Sequence, residues 1–273
     1  LDERMVYTCA YFPTGTEDLD TAQRLKLDYI CRKLRLRPGE RLLDIGSGWG
    51  ALCVYAAQQY GVFSVGVTLS RQQYEHSASF IRAYGLDDRV EFRFQDYRDV
   101  QDAFDKIVSV GMFEAVGPNY EEYFTTVFRL LRPGGLFLNH SIAANARADA
   151  WARRSSLERR LRRAILGTGL IRERYIFPDG ELIPVSEANL IAERSGFEVR
   201  DVENLREHYE MTLRHWLSRL EARKEAAVRA AGEVVYRTWR LYMTAAMLEF
   251  ASGNINVNQT LFAKPAQGRR PVP

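Results

Sequence analysis

A regular alternation of short apolar runs with helically spaced stretches limits this chain more than any other feature. The strand-like runs are Arg41 to Gly46, Phe63 to Leu69, Val90 to Asp96, Lys106 to Gly111 and Gly135 to Ile142, with others near Glu198 to Val202 and at Asn256 to Lys264. Strands joined through helices predict a mostly parallel sheet covered by helices on both faces. Turn signals fall where that reading needs them, at Arg37-Pro38-Gly39 and at Arg132-Pro133-Gly134-Gly135. The rhythm breaks between Ala143 and about Pro184, where arginine dominates. It resumes with a helix opened by Ser186 and Glu187, and a long helical stretch from about Tyr209 to Phe250 precedes the last strand. A Gly/Arg/Pro tail after Pro265 is expected to be disordered.

Composition enters only by exclusion. A chain of 273 residues can bury a sizeable core, and none of its apolar runs approaches the length of a membrane span. A net charge of +3 is too small to argue for nucleic acid, so an anionic partner must be sought in local arginine clusters. Cys9, Cys31 and Cys53 are odd in number and widely spaced, which predicts reduced thiols in a cytoplasmic protein, with no metal site. No secretory leader is expected, and Leu1 in place of Met fits a piece of a longer protein.

The first chemical motif is LLDIGSGWGALCVYAA, Leu42 to Ala57, in which a buried strand delivers Gly46, Gly48 and Gly50 into the start of a helix. Glycines there let the backbone approach a ligand, although the same spacing serves dinucleotides and nucleosides alike and sometimes only packs a helix on a sheet. A dinucleotide needs an acid at the end of the second strand to grip its ribose, and that strand ends Val67-Thr68-Leu69-Ser70. Asp44 before the glycines and Asp96-Tyr97 after the third strand suit a nucleoside instead, which favours S-adenosylmethionine over NAD.

YTCAYF, DIGSGWG, GVTLSRQQ, VSVGMFEAVG, RYIFPDGELIPVSE, ENLREHYEMTLRHW and INVNQTLFAK occur in this order from Tyr7 to Lys264. On these segments the chain resembles the cyclopropane-fatty-acid synthase family of methyltransferases, which includes the mycolic acid cyclopropane synthases. The resemblance implies a class I, Rossmann-like fold with a seven-stranded, mostly parallel sheet and an inserted helical lid. It implies S-adenosylmethionine as donor, an unsaturated acyl chain as acceptor and a bound bicarbonate as base. By resemblance, the side chains of Glu114, His140 and Tyr209, with backbone near Cys9 and Ile142, hold that anion. It also assigns Tyr7 and Thr8 to the methionine end of the donor, the loop Gly46, Ser47, Gly48 and Gly50 to its backbone, Thr68, Leu69 and Gln73 to its ribose, and Tyr97 and Arg98 to its adenine. Bland alternatives stand beside each role: Glu114 as a cap for the helix after Gly117, His140 as a satisfied structural histidine, Tyr209 as an interface tyrosine and Gln73 as an exposed helix residue. NHSIA departs from the commoner His-Thr-Ile-Gly through Ser141 and Ala143, which leaves His140 and Ile142 in place.

The resulting organisation is an N-terminal helical segment over the cofactor site at 1–40, a Rossmann-like core at 41–142, an arginine-rich lid at 143–185, the rest of the methyltransferase domain at 186–265 and a tail at 266–273. In the lid, Trp151, Leu157, Leu161 and Ile165 share a helix face amid Arg153, Arg154, Arg159, Arg160, Arg162 and Arg163. A basic amphipathic helix reads as a membrane-surface contact, with a solvated face or an acyl carrier protein as the competing readings. Trp216, Tyr236, Trp239, Tyr242 and Phe250 line either an acyl tunnel or a plain helical core. The expected reaction is addition of a methylene across the cis double bond of an unsaturated phospholipid acyl chain, by a cytoplasmic enzyme bound peripherally to the membrane, with a homodimer left open. The rival readings are a methyl-branched or methylene fatty acid product, methylation of a small amine or isoprenoid, and an inactive lipid-binding module.

Overall fold

The computed structural model describes residues 1–146 and 182–266. The arginine-rich helix and most of the expected lid, from 147 to 181, lie outside the described residues, as does the tail after Ala266. Helix α1 (Leu19–Lys33) begins where Asp18 accepts a 2.7 Å hydrogen bond from the Thr21 N–H, satisfying one of the donors a helix start leaves free. There follow β1 (Arg41–Ile45), α2 (Ala51–Tyr60), β2 (Phe63–Thr68), α3 (Arg71–Tyr84), β3 (Val90–Phe94), β4 (Phe104–Val110), α4 (Tyr120–Leu130) and β5 (Leu131–Ala144). After the gap come α5 (Val185–Arg194), β6 (Glu198–Asn204), α6 (Arg206–Ala222), α7 (Lys224–Ala231), α8 (Glu233–Ala251) and β7 (Ile255–Ala263).

Among the described residues the strands form one seven-stranded sheet in the order β3-β2-β1-β4-β5-β7-β6. Strands β1 to β5 pair in parallel, and β7 runs antiparallel between β5 and β6. Strand order reverses between β1 and β4, so the loops leaving their carboxyl ends diverge and open a crevice there. Alternation along each strand feeds two cores. Leu43, Ile45 and Ile107 pack with Phe124, Phe137, Phe197 and Phe262 on the α4/α5 face, while Leu42 and Val108 pack with Leu27, Ile30 and Leu52 on the α1/α2 face. Each such buried side chain contributes about 1.5–3 kcal/mol, and together they fix the strand ends that carry the polar residues.

Two local expectations need correction. The stretch from Tyr209 to Phe250 is not continuous: it breaks at Arg223 and at Gly232, whose φ of 86° is open to glycine and strained for other residues. The helix expected to open at Ser186 begins at Val185 instead, with Pro184 at its N-cap and no side-chain cap. The segment before α1 is tied down, because Ala10 N–H donates to Thr212 Oγ1 at 2.9 Å and Phe12 N–H donates to His208 Nδ1 at 3.1 Å. These bonds fasten Tyr7 to Phe12 onto α6, over the sheet's carboxyl edge. No helix among the described residues is long and apolar enough to cross a membrane.

Candidate active site

A cavity of about 1240 Å³ opens at the carboxyl ends of β1, β2 and β4. Asp44, Gly46, Ser47 and Gly48 line it from the turn after β1, Thr68, Leu69 and Gln73 from beyond β2, Tyr97 and Arg98 from beyond β3, and Tyr7 and Thr8 from the N-terminal segment. Gly48 has φ 56°, and a Cβ there would meet nothing within 4 Å, so the turn faces open space where a ligand can approach the backbone. Gly50 is absent from the lining; it sits behind the turn, where a Cβ would lie 2.4 Å from Phe92 Cζ. One half of the glycine motif thus shapes the cavity and the other lets helix and strand approach.

Several polar groups of this groove are held in place with hydrogen-bonding capacity to spare. Thr68 Oγ1 donates to Gln73 Oε1 at 2.8 Å, which leaves the Gln73 amide N–H groups for another acceptor. Arg98 is held by Asp96 at 3.0 and 2.8 Å, and that guanidinium keeps the Asp96 carboxyl below its ordinary range. Leu69, an apolar side chain, is 66% exposed at the rim. Asp44 is buried and its pKa is raised to about 7, because desolvation outweighs the favourable charge of Lys26.

The second group of residues lies behind one wall of this cavity. Met112, Ala115 and Val116 line it, whereas Glu114, in a 3-10 turn at Phe113–Ala115 beyond β4, does not. Glu114 does not cap α4, whose N-cap is Asn119; its Oε1 accepts from the Ile142 N–H at 2.6 Å. The Ile142 donor is therefore engaged by Glu114. Glu114 Oε2 is sealed from solvent with no hydrogen-bond partner among the described residues, and desolvation raises the carboxyl pKa to about 7. His140 stands two residues before Ile142 on β5, on the same strand face. It is 2% exposed, and burial lowers its pKa to about 3, so the ring is neutral. Gln259, its cross-strand partner on β7, donates from Nε2 to His140 Nδ1 at 3.1 Å. With the amide nitrogen donating to Nδ1, the ring proton sits on Nε2, which is sealed and has no partner among the described residues.

Tyr209, on the first turns of α6, packs in one cluster with Cys9, Ile142, Tyr7 and Leu205. Glu114 is among the charges that raise the Tyr209 phenol, after burial and after Tyr242, Tyr7 and Cys9. The Cys9 thiol, pushed up by burial, donates to Ala10 O at 3.2 Å, so it is wall and not nucleophile. Aromatic rings complete the enclosure: Tyr7 stacks on Trp216 at 5.0 Å, and Tyr209 packs against Phe250 at 4.6 Å. Trp216 and Trp239 reach the cavity itself, while Tyr236 and Phe250 are buried in the helical layer.

Three residues here escaped the sequence reading: Lys26, Trp49 and Gln259. Trp49 and Lys26 line the cavity, and Gln259 is wholly buried. The available signal for Gln259 was a polar run, Asn258-Gln259-Thr260, inside the strand INVNQTLFA.

Residues 1–260 match the family model described as mycolic acid cyclopropane synthetase. A probable fatty acid methyltransferase of Pseudomonas putida is 42% identical over the whole chain, and the cyclopropane-fatty-acyl-phospholipid synthase of Escherichia coli K12 is 38% identical over 97% of it. The chain spans 67% and 63% of the lengths of these two relatives. Mycolic acid cyclopropane synthase CmaA1, solved with SAH and CTAB, superposes with a TM-score of 0.89 at 32% identity, covering 96% of this chain and 91% of that one.

Proposed function

Since the chain belongs to the mycolic acid cyclopropane synthetase family and is thus an S-adenosylmethionine-dependent methyltransferase, we propose that it acts on the cis double bond of an unsaturated phospholipid acyl chain and closes a cyclopropane. The observation that carries this reading is the pair formed by Glu114 and His140, a carboxylate and a neutral imidazole at adjacent strand ends, each with a sealed polar atom that lacks a partner among the described residues. Leaving such atoms unpaired costs about 1–3 kcal/mol each, which favours a small polar guest between them. Bicarbonate fits, because it can donate its proton to Glu114 Oε2 and accept from His140 Nε2–H.

An alkene has no proton to lose before it is methylated. Addition of a methyl group leaves positive charge on the neighbouring acyl carbon and one proton too many on the new carbon, and ring closure requires that proton to leave. When bound in this site, S-adenosylmethionine supplies the electrophilic methyl group and bicarbonate supplies the base. The chain's own residues do the rest. Gly46, Ser47, Gly48, Thr68, Leu69, Gln73, Tyr97 and Arg98 orient the donor in the groove, with Tyr7 and Thr8 at its methionine end. Ile142 N–H fixes the Glu114 carboxylate, and Gln259 fixes the His140 tautomer. Tyr209 adds a phenol to the anion site, and the rings of Tyr7, Trp216 and Trp239 offer π faces to a cation while excluding water.

The complex of CmaA1 with SAH and CTAB supports the donor and an amphiphilic acceptor. The arginine-rich segment 151–165, expected from its sequence to be an amphipathic helix, is assigned to an anionic lipid surface on that sequence, at roughly 1 kcal/mol per basic residue. A second reading, a methyl-branched fatty acid, follows from the Pseudomonas relative described as a fatty acid methyltransferase. One assay addresses both. Incubation with donor and unsaturated phospholipid vesicles is expected to yield acyl chains heavier by one methylene that survive mild hydrogenation, faster on anionic than on neutral vesicles at low salt. A product heavier by one methylene that takes up two further hydrogens on mild hydrogenation would establish an open, branched chain instead, and equal rates on both vesicles would remove the surface contact.

A further inference from the structure

Lys26 is a buried cation with no anion to answer it. It lies on α1, it is 2% exposed, and it lines the cavity. Its Nζ carries three donors, and the bond found for it goes to a neutral acceptor, Thr8 Oγ1 at 3.0 Å. Among the described residues no carboxylate lies within ion-pairing distance; Asp2 and Asp44 act on it only through longer-range charge. Burial brings its pKa down to about 8, as expected for an ammonium short of counter-charge. Thr8 is fixed independently from the same helix, because Gln23 Nε2, three residues before Lys26, donates to Thr8 O at 2.8 Å. The ammonium and the Thr8 hydroxyl are therefore held together at the cavity wall by one rigid helix.

We propose that Lys26, presented through Thr8, is the counter-charge for the amino-acid carboxylate of the methyl donor, and that it makes the groove selective for a donor carrying that carboxylate. This rests on the reading that the donor occupies this groove. A carboxylate at the wall beside Thr8 supplies the acceptor Lys26 lacks, and a bond between two charged groups in a site shielded from water is about twice as strong as a neutral one. Lys26 is a binding residue and takes no part in the chemistry at the acyl chain.

The test is a thermodynamic cycle on binding, read by calorimetry without turnover. The wild-type chain and Lys26→Met are each titrated with S-adenosylhomocysteine and with its decarboxylated analogue, which keeps the adenosine, sulfur and amine. The wild type is expected to bind S-adenosylhomocysteine about 30-fold or more tighter than the analogue. In Lys26→Met that preference is expected to vanish, with analogue affinity unchanged. Loss of affinity for both ligands alike in the variant would mean that Lys26 only packs the groove, and overturns the inference. Equal wild-type affinities for the two ligands overturn it without any variant, so a poorly folding Lys26→Met still leaves it tested. If the wild type binds neither ligand, the donor reading itself fails, and the inference falls with it.

Discussion

Replacing Glu114 by Gln is expected to lower turnover by about 10²–10⁴-fold while S-adenosylhomocysteine affinity stays near that of the wild type. The amide is the same size and keeps an oxygen for the Ile142 N–H, so the turn at Phe113–Ala115 retains its anchor. What it loses is the ability to take a proton. The wild type carries a matching pH signature. Burial raises the Glu114 pKa to about 7, so the carboxylate is protonated below that pH and ionised above it. Turnover therefore falls as pH drops through about 7 and recovers as it rises, with the acceptor form present only on the alkaline side. Steady-state rates across that range, for wild type and Glu114→Gln, check both statements. Unchanged turnover in the variant removes Glu114 from the chemistry.

The second large effect concerns Gly50, where the glycine motif meets the sheet. Its φ is 93°, a left-handed conformation that a β-branched residue resists, and an added Cβ would stand 2.4 Å from the ring of Phe92. Phe92 is itself buried against α2, in a cluster with Cys53, Ala57, Ile81 and Val90, and it has little room to retreat. Gly50→Val is expected to cost about 2–5 kcal/mol, a fall in Tm of about 5–15 °C, and to abolish S-adenosylhomocysteine binding, because the turn that positions Gly46 to Gly48 ends there. A thermal melt with and without ligand reads both quantities. A wild-type Tm would show that the αL conformation and the Phe92 contact at Gly50 do not constrain the fold.

These two positions also show why some of the molecule was legible in its sequence and some was not. The short apolar runs of β1 and β4, buried on both faces of the sheet, and the turn glycines at Gly46, Gly48 and Gly50 are local signals, and the sheet follows from them through general rules of chain connection. Gly232 is an equally local signal for the break between α7 and α8. Arg223, which ends α6 without glycine or proline, carries none. Glu114 and His140 sit in strand ends where a lone acid or histidine has several uses, so their roles entered through family resemblance and not through spacing. Lys26 was hidden more deeply. On an amphipathic helix a lysine reads as solvated, and only the tertiary packing of the N-terminal segment over α1 makes it a buried cation. Gln259 is comparable: its value lies in facing His140 across β5 and β7, a register set by strand pairing.

In the proposed reaction a proton leaves the newly added carbon toward an anion held by Glu114, His140 and Tyr209. Mass analysis of the acyl product made with a trideuteromethyl donor tests it most directly. The new carbon is expected to keep two of its three deuterium atoms, the third having been lost as ring closure occurs. Retention of all three would mean that the positive charge is quenched elsewhere on the chain, and that the site does not do what is proposed for it.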